Sequence, residues 1–71
     1  MEKTVLVTGC NGFIGSAFVR FVKEKYHIIG IDKTPGAFQK AGNGLFYQGD
    51  ICDTELLQRI FAEHTIDAVL H

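Results

Sequence analysis

The stretch Val7-Thr8-Gly9-Cys10-Asn11-Gly12-Phe13-Ile14-Gly15-Ser16 decides the fold of this chain. It follows Val5, Leu6 and Val7, a short apolar run without alternation that is typical of a strand buried on both faces. It leads into a segment, extending to about Lys25, in which apolar residues recur at helical spacing. The predicted apolar face of this helix comprises Ile14, Ala17, Phe18, Phe21 and Val22.

Strand-like and helix-like segments continue to alternate after this helix. The further predicted strands are His27–Asp32, the weaker Gly44–Gln48, and Ile66–Leu70. Between the second and third strands, Lys33–Asn43 has no sustained period, so we expect a loop with at most one helical turn around Phe38 to Ala41. Asp53 is a suitable N-cap for a second long helix. The apolar face of that helix comprises Leu57, Ile60, Phe61 and His64.

This alternation predicts an α/β fold: a partial Rossmann fold with a four-stranded parallel sheet of order 3-2-1-4 and one helix on each face. The fourth strand is then an open edge. Cys10 and Cys52 follow strands one and three, about 9.5 Å apart, which exceeds the roughly 7 Å that a disulfide allows, so we expect no bridge. The aromatic residues predicted to lie in the core are Phe13, Phe18, Phe21, Phe46 and Phe61.

The composition excludes several classes of protein. The chain has 71 residues, about half a typical domain, with 46% apolar residues, 21% charged residues and a net charge of −1. The sequence contains no block of basic residues of the kind that binds nucleic acid. None of its apolar runs approaches the roughly 20 residues that a membrane span needs. Met1 to Lys3 does not begin a secretory signal, so we expect a cytoplasmic protein. The three histidines, His27, His64 and His71, have no metal-binding spacing, and we predict no metal site.

The three glycines between the first strand and helix indicate a site for a dinucleotide. Gly9 permits a tight turn, Gly12 leaves room for a phosphate beside the backbone, and Gly15 lets the helix pack close to the sheet. The helix N-terminus then presents free N–H groups to a pyrophosphate. A glycine pattern alone is weak evidence, but here the required strand, helix and subsequent acid surround it.

Acidic residues at the next two strand ends extend this prediction. Asp32 lies seventeen residues after Gly15, where a carboxylate can accept hydrogen bonds from the adenosine ribose. It would repel a 2′-phosphate, which favours NAD over NADP, although Lys33 could partly offset the repulsion. Asp50 and Ile51 would lie beside the adenine, with a strand-end turn as the equally weighted alternative.

These residues together resemble the N-terminus of the extended short-chain dehydrogenases/reductases. The resemblance rests on Thr8-Gly9-x-x-Gly12-Phe13-Ile14-Gly15-Ser16, Asp32, Asp50-Ile51-x-Asp53 and Asp67-Ala68-Val69-Leu70-His71. Within that superfamily the chain is similar to the NAD-dependent nucleotide-sugar epimerases and dehydratases, with UDP-glucose 4-epimerase and the sugar-nucleotide 4,6-dehydratases as the nearest types. The likeness spans residues 3–71.

The resemblance implies NAD as cofactor and a set of residues that hold it. The implied pyrophosphate contacts are Gly9, Cys10, Asn11, Gly12, Phe13, Ile14 and Gly15; the implied adenosine contacts are Asp32, Lys33, Asp50 and Ile51. Of these, Cys10 occupies a position that is usually small, where a thiol should fit. Residues 1–71 would form the N-terminal half of an NAD(P)-binding Rossmann domain, without the catalytic and substrate-binding parts.

One departure from the family leaves the function open. Members carry a Tyr-x-x-x-Lys pair, whereas here Tyr26 is followed four residues on by Gly30, and Tyr47 by Ile51. We therefore predict no catalytic residue in this chain. It is interpreted as an NAD-binding fragment of an enzyme that transfers a hydride transiently between a sugar nucleotide and NAD. The alternatives are a non-catalytic NAD(P)-binding or sensing module, and a fragment that self-associates through its open edge strand with vestigial dinucleotide binding.

Overall fold

The computed structural model describes residues 3–42 and 44–71. Met1 and Glu2, on which the prediction of no secretory signal largely rests, lie outside the described residues. Asn43, the last residue of the predicted loop, also lies outside them. The elements in chain order are β1 (Thr4–Thr8), α1 (Phe13–Val22), β2 (His27–Asp32), α2 (Ala37–Lys40), β3 (Leu45–Gln48), α3 (Thr54–Glu63) and β4 (Ala68–Leu70).

The four strands form one parallel sheet in the order β3-β2-β1-β4, which confirms the predicted topology. Val5 of β1 is in register with Ile28 of β2 on one side and with Ala68 of β4 on the other. In β2, Ile29 is in register with Leu45 of β3. Because the strands are parallel, their carboxyl ends meet at one edge of the sheet, where ligands bind in folds of this type.

Both faces of the sheet are covered, which explains why β1 and β2 lack a polar alternation. On one face, Val5 and Val7 pack with Val19 of α1 and Phe38 of α2. On the opposite face, Leu6, Ile29 and Ile31 pack with Ile60 of α3. The two long helices therefore lie on opposite faces as predicted, and α2 supplies the single expected turn on the α1 side.

The apolar face of α1 differs from the sequence prediction. Gly15 and Val19 are its buried residues, with Phe18 and Val22 half-buried against the same cluster. Two residues assigned to the buried face, Ile14 and Phe21, are exposed. The helix is apolar around more of its circumference than one sheet face can cover. The periodicity of the sequence therefore predicted the wrong side of α1 as the side that packs on the sheet.

The predicted aromatic core needs the same correction. Phe13 is 92% exposed, Phe21 88% and Phe61 49%, so these three do not belong to the core. Phe18 and Phe46 are half-buried against it. The aromatic side chain that is buried is Phe38 of α2, because the short helix folds it onto the sheet.

Local sequence signals set the limits of α3. The Asp53 carboxylate accepts a hydrogen bond from Leu56 N at 3.2 Å, which confirms the predicted N-cap. The helix ends at Glu63, so His64 is half-buried beyond the last turn rather than within it. In the described part of the chain, no helix has the length and apolar character needed to cross a bilayer.

Candidate functional site

Two cavities lie at the carboxyl edge of the sheet, around the glycine loop that joins β1 to α1. The first, of about 380 Å³, is lined by Thr8, Gly9, Ile31, Asp32, Lys33, Thr34, Ile51 and His71. The second, also about 380 Å³, is lined by Thr8, Gly9, Gly12, Phe13, Ile14, Gly15, Leu70 and His71. The two cavities share wall residues from the ends of β1 and β4. Most of the predicted contact residues line one or both of these adjoining cavities, namely Gly9, Gly12, Phe13, Ile14, Gly15, Asp32, Lys33 and Ile51.

The glycine loop owes its shape to close backbone contacts. Gly9 has φ +64°, in the region that favours glycine, and Gly12 N donates to Gly9 O at 2.8 Å. A Cβ atom on Gly15 would overlap Gly9 O and would lie 3.1 Å from the Gly9 carbonyl carbon and 3.2 Å from Cys10 Cα. The start of α1 therefore sits directly against the loop, where a side chain would force the two apart.

Most amide groups of the loop are occupied by the protein itself. Gly9 N donates to Ile31 O at 2.8 Å, and Asn11 N donates to the Asp32 carboxylate at 2.9 Å. The first helical hydrogen bond of α1 runs from Ser16 N to Gly12 O at 2.9 Å, and the N–H groups of Phe13–Gly15 have no acceptor among the described residues. The first turn also contains no acidic residue. The positive end of the α1 dipole is therefore uncompensated and faces the second cavity.

Asp32 ends β2 and forms part of the wall of the first cavity. One of its oxygens accepts from Asn11 N at 2.9 Å, and the other accepts from Thr34 N at 3.1 Å. An ionised carboxylate has about four acceptor positions, so two remain for a ligand. The two backbone bonds fix the carboxylate in place, and its free acceptor positions suit a vicinal diol.

Asp50 and Lys33 form an ion pair across the ends of β2 and β3. Lys33 Nζ lies 3.5 Å from Asp50 Oδ2, and Cys52 N donates to Asp50 Oδ1 at 2.8 Å. The Cys52 N–H, and after it the Lys33 ammonium, hold the pKa of Asp50 below its ordinary value. Asp50 is not part of the wall of the first cavity, whereas Ile51 is. The Asp50 carboxylate instead accepts a hydrogen bond within the turn that leads into α3.

Cys10 and Asn11 direct their side chains away from both cavities. Cys10 is fully buried among core residues, and burial, with a smaller contribution from the Asp32 charge, raises the pKa of its thiol to about 11. Asn11 instead turns toward the segment between β2 and α2. Cys52 is exposed, and both thiols are free.

The structure adds residues to the site that sequence reasoning missed. The additional wall residues are Thr8, Ile31, Thr34, Leu70 and His71. His71 Nδ1 lies 3.0 Å from Thr8 Oγ1, which joins the ends of β4 and β1. Three of these residues, Thr8, Leu70 and His71, end or directly follow a strand. The signal that could have found them is therefore the position of parallel strand ends at one edge, rather than residue type.

The other histidines lie elsewhere. His27 is exposed at the start of β2, and His64 Nε2 lies 2.9 Å from the Tyr47 hydroxyl on the α3 side of the sheet. Within residues 3–42 and 44–71, no three histidine, cysteine or acidic side chains are grouped as metal ligands.

Comparison with known proteins places this chain in a family. Residues 5–71 match the NAD dependent epimerase/dehydratase family. The chain is 42% identical to a UDP-glucose 4-epimerase of Neisseria meningitidis, over 97% of this chain and 23% of the relative. It is 38% identical to dTDP-glucose 4,6-dehydratase 1 of Escherichia coli, over 94% of this chain and 21% of the relative.

Solved structures agree with the sequence relatives. The UDP-glucose 4-epimerase of Brucella ovis in complex with NAD superimposes with a TM-score of 0.82 at 30% identity, covering 99% of this chain and 22% of that chain. This chain thus spans less than a quarter of the length of these relatives. The residues matched by the family model include β1 from Val5 onward, the glycine loop, Asp32 and the other three strands, and we conclude that the chain belongs to the NAD-dependent epimerase/dehydratase family.

Proposed function

We propose that this chain binds NAD at the carboxyl edge of its sheet, and that residues 1–71 act as the adenosine-binding half of an NAD(P)-binding Rossmann domain. The observation that carries the proposal is the set of free first-turn amides of α1 beside a fixed Asp32 carboxylate. An anion is attracted to the first feature and a ribose diol to the second. The two features line adjoining cavities, as a dinucleotide would require.

The proposed contacts divide by the type of group they provide. The N–H groups of Phe13–Gly15 would hold the pyrophosphate, and Gly9 and Gly12 would leave room for it. Asp32 would accept from the adenosine ribose, while Ile51 would pack against the adenine. Lys33 would lie at the rim of the ribose pocket. Cys10 and Asp50 would act through the shape of the loops rather than through their side chains, and the Asn11 side chain would contact the protein rather than the nucleotide.

We further propose that the protein takes part in nucleotide-sugar chemistry in the cytoplasm, as an isomerase or a dehydratase. NAD, when bound, supplies a hydride acceptor. The residues of this chain would grip and orient the adenosine half and would leave the exchange of protons to residues that this sequence does not contain. A non-catalytic NAD(P)-binding module would use the same contacts, and an NAD-binding result alone does not distinguish it from the enzyme.

Titration calorimetry with NAD, NADP and ADP-ribose tests the proposal. We expect similar affinities for NAD and ADP-ribose and a weaker affinity for NADP, because the Asp32 carboxylate repels a 2′-phosphate. Asp32→Ala should weaken NAD binding about ten- to a hundredfold, since hydrogen bonds to a charged group contribute about 1.5–3 kcal/mol. Glu55→Gln, on the exposed first turn of α3, removes one negative charge away from the site and is the matched control.

Two results would contradict this function. A wild-type chain that binds none of the three nucleotides would exclude the site as a whole. An Asp32→Ala variant with unchanged NAD affinity and no gain in NADP affinity would exclude the role of Asp32 at the ribose.

A separate observation favours self-association as a second property. β4 forms an edge of the sheet, and its Ala68 and Val69 are exposed, with Val69 at 51%. An exposed apolar edge strand can pair with a second copy of the chain. Sedimentation at increasing concentration tests this, and a monomer at the highest concentration would argue against edge pairing.

A further inference from the structure

The side chain of Asn11 connects the glycine loop to the segment that follows β2. Its Oδ1 accepts from Phe38 N at 2.8 Å, and its Nδ2 donates to Thr34 O at 2.9 Å and to Gln39 Oε1 at 3.3 Å. These partners lie 23 to 28 residues away in the sequence. The side-chain amide of Asn11 thus joins the loop between β1 and α1 to the segment that follows β2, although the two are far apart in the sequence.

The bond to Phe38 gives α2 a cap that its own sequence lacks. A helix of four residues is too short to be stable alone, and its N-cap residue, Gly36, has no side chain. Asn11 Oδ1 takes the place of a local cap by accepting from the second residue of the helix. Gln39 Oε1 completes the arrangement by accepting from Gly36 N at 3.1 Å.

The packing at this junction is as close as its hydrogen bonding. A Cβ atom on Gly36 would lie 2.9 Å from both Cγ and Oδ1 of Asn11. The Asn11 amide therefore rests directly on the backbone of Gly36. Any loosening of Asn11 would free the segment between β2 and α2 to move.

The two supports of Asp32 both depend on Asn11. One carboxylate oxygen is held by the backbone N–H of Asn11 itself, and the other by the N–H of Thr34. The carbonyl of Thr34 is in turn held by Asn11 Nδ2. Removal of the Asn11 side chain would leave Asp32 with the same two donors, but one of them would lie on a segment that has lost its hydrogen bonds to Asn11.

We propose that Asn11 is a positioning residue that fixes Asp32 in the geometry needed to distinguish a ribose, which carries a 2′-hydroxyl, from a 2′-deoxyribose, which does not. The inference rests on the proposed nucleotide binding and extends it to a residue that does not touch the nucleotide through its side chain. Asn11 acts through Thr34 and Gln39, and Asp32 makes the contact.

The test compares the affinities of the 71-residue chain for ADP and 2′-deoxy-ADP, measured by calorimetry. The wild-type chain should prefer ADP by about tenfold, the contribution of one hydrogen bond to a charged acceptor. Asn11→Ala should reduce this preference to about twofold or less, mainly by weakening ADP. Gln39→Ala removes two of the bonds at the junction and should give an intermediate ratio, while Gln58→Ala on the exposed face of α3 should leave it unchanged.

The ratio separates positioning from a general structural role, because a merely destabilised chain loses affinity for both nucleotides equally. Equal weakening, or a ratio unchanged in both Asn11→Ala and Gln39→Ala, would overturn the proposal. If Asn11→Ala does not fold, Gln39→Ala alone decides. A wild-type chain that binds neither nucleotide would refute the proposed function itself, whereas wild-type preference that survives both variants refutes only the role of Asn11.

Discussion

Replacement of Gly15 by alanine tests the close packing on which the site depends. The added Cβ would overlap Gly9 O and approach two further backbone atoms, the Gly9 carbonyl carbon at 3.1 Å and Cys10 Cα at 3.2 Å. Carbon atoms pack best at about 3.5–4.0 Å, so the helix and the loop would have to separate by a substantial fraction of an ångström. All three neighbours are backbone, and none can move aside as a flexible side chain would.

The expected cost follows from two opposing effects. Overpacking of this kind costs about 1–3 kcal/mol, and the better helix propensity of alanine recovers up to about 1 kcal/mol. The net loss of about 1–2 kcal/mol corresponds to a fall in Tm of about 5–15 °C for a chain of this size. Separation of the loop from α1 should also weaken NAD binding.

Urea unfolding followed by circular dichroism measures the loss, and calorimetry with NAD measures the effect on the site. Ser16→Ala is the matched control, because it changes the next residue and removes only a hydrogen bond of the exposed Ser16 hydroxyl to Phe13 O. An unfolding midpoint for Gly15→Ala equal to that of wild type would refute the contact geometry of the loop.

Three further predictions concern the cap, the thiols and the glycine loop. Asp53→Ala should lower the free energy of unfolding by about 1 kcal/mol, measured by urea denaturation, because α3 loses its N-cap, and an unchanged midpoint would count against that bond. At pH 8, a thiol-blocking reagent should modify the exposed Cys52 rapidly and the buried Cys10 only on unfolding, and equal labelling rates would contradict the burial of Cys10. Since burial raises the pKa of Cys10 in the folded chain from 9.0 to about 11, the contribution of this thiol to stability should persist below pH 9 and be lost as the pH rises toward 11. Asn11 and Gly12 form a pair that is prone to deamidation, in which the Gly12 nitrogen attacks the side-chain amide carbon of Asn11 and ammonia is lost. Because the Gly12 N–H donates to Gly9 O in the folded chain, peptide mass analysis should find much slower deamidation there than in urea. Equal rates would argue against that hydrogen bond.

The sequence predicted the sheet because its signals are local and mutually consistent. The apolar runs of β1 and β2 read as buried strands, and the alternation of elements left a parallel sheet with crossovers as the expected topology. The exposure of Phe13 and Phe21 could not be foreseen, because α1 is apolar around much of its surface and the sequence does not state which side meets the sheet. The burial of Phe38 also escaped prediction, since α2 has little helical pattern of its own and depends on Asn11.

The site divides in the same way. Gly9, Gly15 and Asp32 were predictable because each position imposes a requirement that few residue types meet: a positive φ, the absence of a Cβ, or a carboxylate at a strand end. The hydrogen bonds of Asn11 and Thr34 were not, because they join segments more than twenty residues apart. Sequence spacing carries no information about such partners until the sheet order and register bring the segments together.

The central position of β1 has a consequence for how the chain is made. β1 precedes both of its partners in the chain, so one of its edges can pair only when β2 is present and the other only when β4 is present, with Val5 in register with Ala68. Until residues 68–70 emerge from the ribosome, β1 keeps one unpaired edge, which is a site for association with other nascent chains. The order of the strands along the chain thus leaves β1 open to such contacts until β4 is available to pair with it.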